Sequence, residues 1–121
     1  MTPAGELCHR IGGGDATNLA LKPQEAKLNP PGISILIGGT AQQAAADWRA
    51  VFRRPATSAK AQTVGTAQIE SIRALGFDVA PFPTPNFPNH GRLIHPTEGA
   101  AGFTPENLQR LSQIFTDTTG L

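Results

Sequence analysis

The sequence predicts an α+β fold: one compact domain over residues 1–121, with a small mixed β-sheet, about three helices and long Pro/Gly-rich loops. Three observations lead there. Short β-branched or apolar runs bounded by glycine and proline read as strands, and they alternate with segments whose apolar residues recur at helical spacing. The 13 glycines and 11 prolines make up about a fifth of the chain, enough for long structured loops but short of the roughly 25–30% that signals disorder. A chain of 121 residues favours one domain and can bury a modest core without disulfides or metal.

The elements follow in order. Residues 6–11, ELCHRI, read as a strand ended by the glycines at 12–14. Alternation puts Leu7, His9 and Ile11 on one face and Cys8 and Arg10 on the other. Residues 15–32 read as loop, with one helical turn near 23–27. GISILIGG, 32–39, is the clearest strand; its β-branched run suggests burial on both faces, with Ser34 the exception inside it. Thr40 with Gln43 forms a capping box. Ala41, Ala44, Ala45, Trp48, Val51 and Phe52 then make an apolar stripe that Pro55 ends.

Residues 55–62 read as a polar, mobile connection. Thr66 reads as the cap of a second helix, with Ile69, Ile72 and Leu75 on its buried side and Gly76 as its stop. FDVAPF, 77–82, is the next strand, and the prolines of 81–88 exclude a central strand there. GRLIH, 91–95, is a strand stopped by Pro96. Thr104 and Pro105 start the last helix, whose core face is Leu108, Leu111 and Phe115.

Composition narrows the function classes. The net charge of +1 lacks the basic excess of most nucleic-acid binders, although small local phosphate sites fit it. Cys8 is the only cysteine, so no internal disulfide forms and a cytosolic site of action is expected. That site is the cytoplasm of the producing cell, or of a target cell reached by direct delivery. No apolar run approaches the roughly 20 residues of a membrane span, and MTPAGELCHR lacks the pattern of a signal peptide.

Two candidate sites stand out. In NHGRLIHPTEG, 89–99, His90 and His95 are five apart, which puts them on opposite faces of a regular strand unless Gly91 marks a bulge. Arg92, His95 and Glu98 gather near that strand's end beside a flexible EGAAG segment. The bland alternative is a strand with polar ends. Arg10 ends a strand beside three glycines, a setting that suits a phosphate or carboxylate; an ion pair with Glu6 or another acid explains it equally well. In the anion-binding role a strand-end arginine contributes little to the core, so its loss should abolish activity and leave the fold intact; an unfolded variant would make Arg10 structural.

The remaining signals are weaker. GGGD is not followed by a helix in this reading and matches no nucleotide fingerprint. Ser34 lacks the setting of a hydrolase nucleophile. No ligand pair has zinc-type spacing, and adjacent Cys8 and His9 point apart, so no metal is expected. Arg49, Arg53 and Arg54 fit a solvated helix face better than a phosphate patch.

The segments LCHRIGGG, PGISIL and HGRLIHP, with the ending FTPENLQRLSQIFTDTTGL, resemble small bacterial toxin domains with an ADP-ribosyltransferase-like fold. Type VI secretion effectors and polymorphic-toxin C-terminal domains are of this kind. The resemblance implies NAD as cofactor, with His9, Arg10, Ser34 and His90 around it and Arg10, His95 and Glu98 as the catalytic set. Glu98 would stabilise the oxocarbenium-like transition state as nicotinamide leaves. The family's second Glu or Gln is replaced here by Pro96, and the chain has no Tyr.

The expected function is transfer of ADP-ribose or hydrolysis of NAD, with a cognate immunity or antitoxin protein as partner. A ribonuclease-type toxin using His90 or His95 with Arg10 or Arg92 is the alternative enzyme. A non-enzymatic interaction or immunity protein is the third reading.

Overall fold

The computed structural model describes residues 6–121; the reading of the first residues as free of a signal peptide falls partly outside them. The α+β class expected from the sequence stands. The sheet has six strands: β1 (Leu7–Ile11), β2 (Gly32–Ile37), β3 (Val64–Gln68), β4 (Asp78–Pro81), β5 (His90–Ile94) and β6 (Thr116–Thr118). Their order is β4-β5-β2-β1-β3-β6, and every pairing is antiparallel, so the sheet is not mixed.

Helices cover both faces. The larger core joins Cys8, Ile33, Ile35, Ala67, Val79 and Leu93 of the sheet to Leu108, Leu111 and Phe115. The elements on that side are α1 (Ala16–Leu19), α5 (Ile69–Ala74) and α6 (Pro105–Ile114). On the other face α3 (Ala41–Val51) sets Ala41, Ala44 and Ala45 over Leu36 and Val64. Its Thr40–Gln43 capping box forms as expected, each side chain accepting from the other's backbone N–H.

Three segments depart from the expectation. The 15–32 segment holds two short helices, α1 and α2 (Pro23–Ala26). Residues 55–62 are α4 (Pro55–Ser58) and a 3-10 turn at Ala59–Gln62. Trp48 and Ala61 explain that order: the indole N–H donates to the Thr57 carbonyl at 2.9 Å, and Ala61 is fully buried. Thr66 is not a helix cap. It lies in mid-β3, a strand held along its length by β1, and α5 starts only at Ile69 with no side-chain cap.

The three glycines after β1 build a turn. Gly12 and Gly13 have φ of 94° and 105°, which other residues rarely adopt. A Cβ at Gly14 would overlap the Phe115 side chain, so the third glycine permits close packing of the turn on α6's C-terminal end. GGGD does lead into a helix, capped by Asp15, but α1 is a single turn.

Candidate functional site

Neighbouring residues of β1 enter opposite faces of the sheet. Arg10 is 7% exposed. Its Nη1 donates to the Ser34 carbonyl at 2.8 Å and its Nε to the Asn18 carbonyl at 3.0 Å. Nη1 also lies 3.9 Å from Glu25 Oε2, so the ion-pair partner is Glu25 rather than Glu6. The β1–β2 pairing runs to His9↔Leu36, and beyond it the Arg10 and Glu25 side chains take up the Ser34 C=O and N–H. Burial lowers the guanidinium's affinity for its proton and Glu25 opposes that shift. Arg10 is thus buried and bonded internally, where the sequence suggested a strand-end residue marginal to the core.

The other expected residues each have partners of their own, and Ser34 meets Arg10 through its carbonyl. The Ser34 side chain is exposed, an interruption in a strand buried on either side of it. His90 places Nδ1 2.8 Å from the Phe82 carbonyl. His95 follows β5, packs edge-on against Phe77 with centroids 4.9 Å apart, and places Nδ1 3.1 Å from the Glu98 N–H that donates to it. Gly102 lies so close under that ring that a Cβ would overlap it. The Glu98 side chain is exposed. Among the described residues, no hydrogen bond joins Arg10 to His95 or Glu98. Arg92 donates to the Pro30 carbonyl at 3.1 Å and lies over the Phe82 ring.

His9 is fully buried on the α3 side. Its Nε2 is 3.2 Å from the Gly39 carbonyl and its Nδ1 2.8 Å from Thr66 Oγ1. A carbonyl only accepts, so Nε2 carries the ring proton and Nδ1 accepts from the Thr66 hydroxyl. This tautomer is assigned from the network. Burial lowers the pKa of His9 below 6.5, against the opposing pull of the Gly39 and Gly38 backbone, which favours the neutral ring. Cys8, on the opposite face, is equally buried, and its thiol is pushed up to about 12, an inert group.

Thr66 opens onto a groove of about 500 Å³. The register sets Thr66 between His9, buried beneath it, and Thr116, so a row of polar side chains crosses three strands and Thr66 and Thr116 line the groove. Thr40, Ser71 and Thr118 add hydroxyls, and Gln42 and Gln68 add carboxamides. Leu7, Ala41, Ala67 and Ile114 supply apolar wall, and among the described residues no charged side chain lines the groove.

Sequence reading missed Thr66 because a threonine three residues before an isoleucine mimics a helix cap. It missed Glu25 because a lone acid in a loop gives no signal. Among the described residues, no group of three or more His, Cys, Asp or Glu stands close enough to hold a metal ion, and no helix is long and apolar enough to cross a membrane. No protein-family model, curated protein or solved structure matches the chain.

Proposed function

We propose that this protein binds a small hydroxyl-rich molecule in the groove between the start of α3, β3 and β6. One observation carries the reading: a space of about 500 Å³, within the usual range of ligand sites, presents five hydroxyls and two carboxamides and no charge. Most of these groups stand on strands or at element starts, where the backbone fixes their directions. Such a lining suits sugars and ribose-bearing compounds, which offer many neutral hydrogen-bonding groups and apolar ring faces.

NAD offers two ribose rings to such a lining and is the ligand the toxin resemblance implies, although its pyrophosphate meets no cationic side chain among the described residues of the groove. In that form the reading makes the chain a secreted bacterial effector that transfers ADP-ribose or hydrolyses NAD and is restrained by a cognate immunity protein. The groove supports ligand binding; the toxin role rests on the resemblance alone.

Titration calorimetry with NAD, ADP-ribose and free ribose tests the binding. Heat of binding from any of these that disappears in Thr116→Val supports the groove. No heat at millimolar concentration of all three removes the reading. Induced expression in bacteria, with NAD and RNA levels followed together, tests the rest: arrest with falling NAD is expected. Arrest with falling RNA instead would favour the ribonuclease alternative, and unaffected growth at high soluble expression would favour an interaction protein.

A further inference from the structure

We propose that Thr66 is a nucleophile activated by His9, and that the groove accepts a carboxylic ester of a hydroxyl-rich alcohol, such as an O-acylated sugar. The inference rests on the groove being a ligand site and adds a reaction to it.

Three groups stand in the required relation. The nucleophile's oxygen is 2.8 Å from the base's nitrogen, within the range for such pairs. The base is oriented in turn by a third group, the Gly39 carbonyl, 3.2 Å from its other nitrogen. A hydroxyl that donates its proton to a neutral imidazole keeps its lone pairs for a molecule in the groove, which Thr66 lines. His9 is completely buried behind Thr66 in the free protein, so Thr66 Oγ1 is the group that occupies Nδ1 before substrate enters, and the proton exchanges of the later steps run from the groove side where Thr66 stands.

The lining selects the substrate class. Phosphoryl transfer depends on cations that neutralise the moving phosphate, and among the described residues the groove lining has no charged side chain. Acyl transfer needs only N–H donors for the oxyanion. Ala41 and Gln42, the first two residues of α3, line the groove, and first-turn amides have no acceptor within their own helix.

The step balances as follows. Thr66 Oγ1 bonds to the ester carbon while its proton passes to His9 Nδ1. The tetrahedral adduct collapses, the carbon–oxygen bond to the alcohol breaks, and the leaving oxygen takes the proton from His9. Water then attacks the acyl-threonine, gives a proton to His9, and releases the acid as Thr66 Oγ1 recovers that proton. The sum is ester plus water to acid plus alcohol, with no oxidant or cofactor.

The test incubates the intact protein with a fluorophosphonate probe and, separately, with p-nitrophenyl acetate. Mass spectrometry locates any adduct by peptide mapping. One adduct per chain on Thr66 is expected, retained in Thr66→Ser and lost in Thr66→Val. Ester hydrolysis should fall by roughly 10²–10⁴-fold in Thr66→Val, the range for loss of an acid–base-assisted group. Mapping the wild-type adduct needs no variant, so a Thr66→Val that misfolds does not spoil the test. An adduct elsewhere, or none, in a protein that still binds NAD or ribose overturns the nucleophile and leaves the binding reading standing. Absence of both adduct and binding removes the two together.

Discussion

His9 and Arg10 are adjacent in β1, both polar and both buried, yet they do opposite things. Arg10 spends its donors on the Asn18 and Ser34 carbonyls and stands near Glu25, so its chemistry closes inside the fold. His9 donates to the Gly39 carbonyl on one side and accepts from the Thr66 hydroxyl on the other, and Thr66 lines a groove. The strand's alternation makes the difference: one face meets α1, α2 and the turn after β1, the other meets α3's first turn. A buried polar residue is structural when its partners are all internal, and becomes available to chemistry when one partner reaches solvent.

Breaking the Arg10 side should have the largest effect. Arg10→Met removes the donor to the Asn18 and Ser34 carbonyls and leaves Glu25 with its Lys22 and Ser34 N–H donors but no cation, at a cost of about 3–5 kcal/mol. Urea unfolding measures it; a change below about 1 kcal/mol would show that these bonds are not needed. Gly65→Ala sharpens the same point, since Gly65 faces Arg10 across the ladder and a Cβ there would overlap the Gly14 backbone. A loss of about 1–3 kcal/mol is expected from that overpacking, and an unchanged unfolding midpoint would contradict it.

The His9 side should yield smaller losses. Thr66→Val keeps the shape and leaves His9 Nδ1 without its partner, which costs about 1–3 kcal/mol. Thr116→Val, at an exposed edge position, should stay within about 0.5 kcal/mol. Equal effects of the two would mean that the His9–Thr66 bond adds nothing.

Acidity separates the regions further. The unfolded chain takes up a proton on His9 near pH 6.5, while burial keeps the folded ring neutral to lower pH. The unfolded state therefore binds more protons below pH 6.5, and this residue's contribution makes stability fall as pH drops through that point. The ring resonances of His9 followed by NMR should titrate with a midpoint under 6.5; a midpoint at or above 6.5 would contradict the buried, neutral assignment.

Much of the frame was legible in the sequence because local physics sets it. β2 is a β-branched run between glycines, α3 begins at its capping box, and Pro105 opens α6. His90 opens β5 and reaches the Phe82 carbonyl, while His95 lies just beyond the strand and packs on the Phe77 ring. β3 was not legible, because VGTAQ has a glycine and a small residue where a strand signal needs bulk; its pairing with β1 makes it a strand. β6 is three polar residues at a sheet edge, recognisable only through its partner. Of the candidate site, His9 and Arg10 were visible as residue types, but their partners were not. Thr66, Glu25, Asn18 and Gly39 come from other elements, and the register that joins them is a property of the assembled sheet.

The central claim is that a ligand meets the His9–Thr66 side of β1 and not the Arg10 side or the Arg10, His95 and Glu98 set. Backbone amide shift mapping by NMR, with NAD or ADP-ribose added to the labelled protein, tests it most directly. The account predicts saturable shifts clustered at Thr66, Gln68, Thr116, Thr118 and the first turn of α3. Shifts confined instead to Arg10, Ser34, His95 and Glu98, with the groove unchanged, would contradict it.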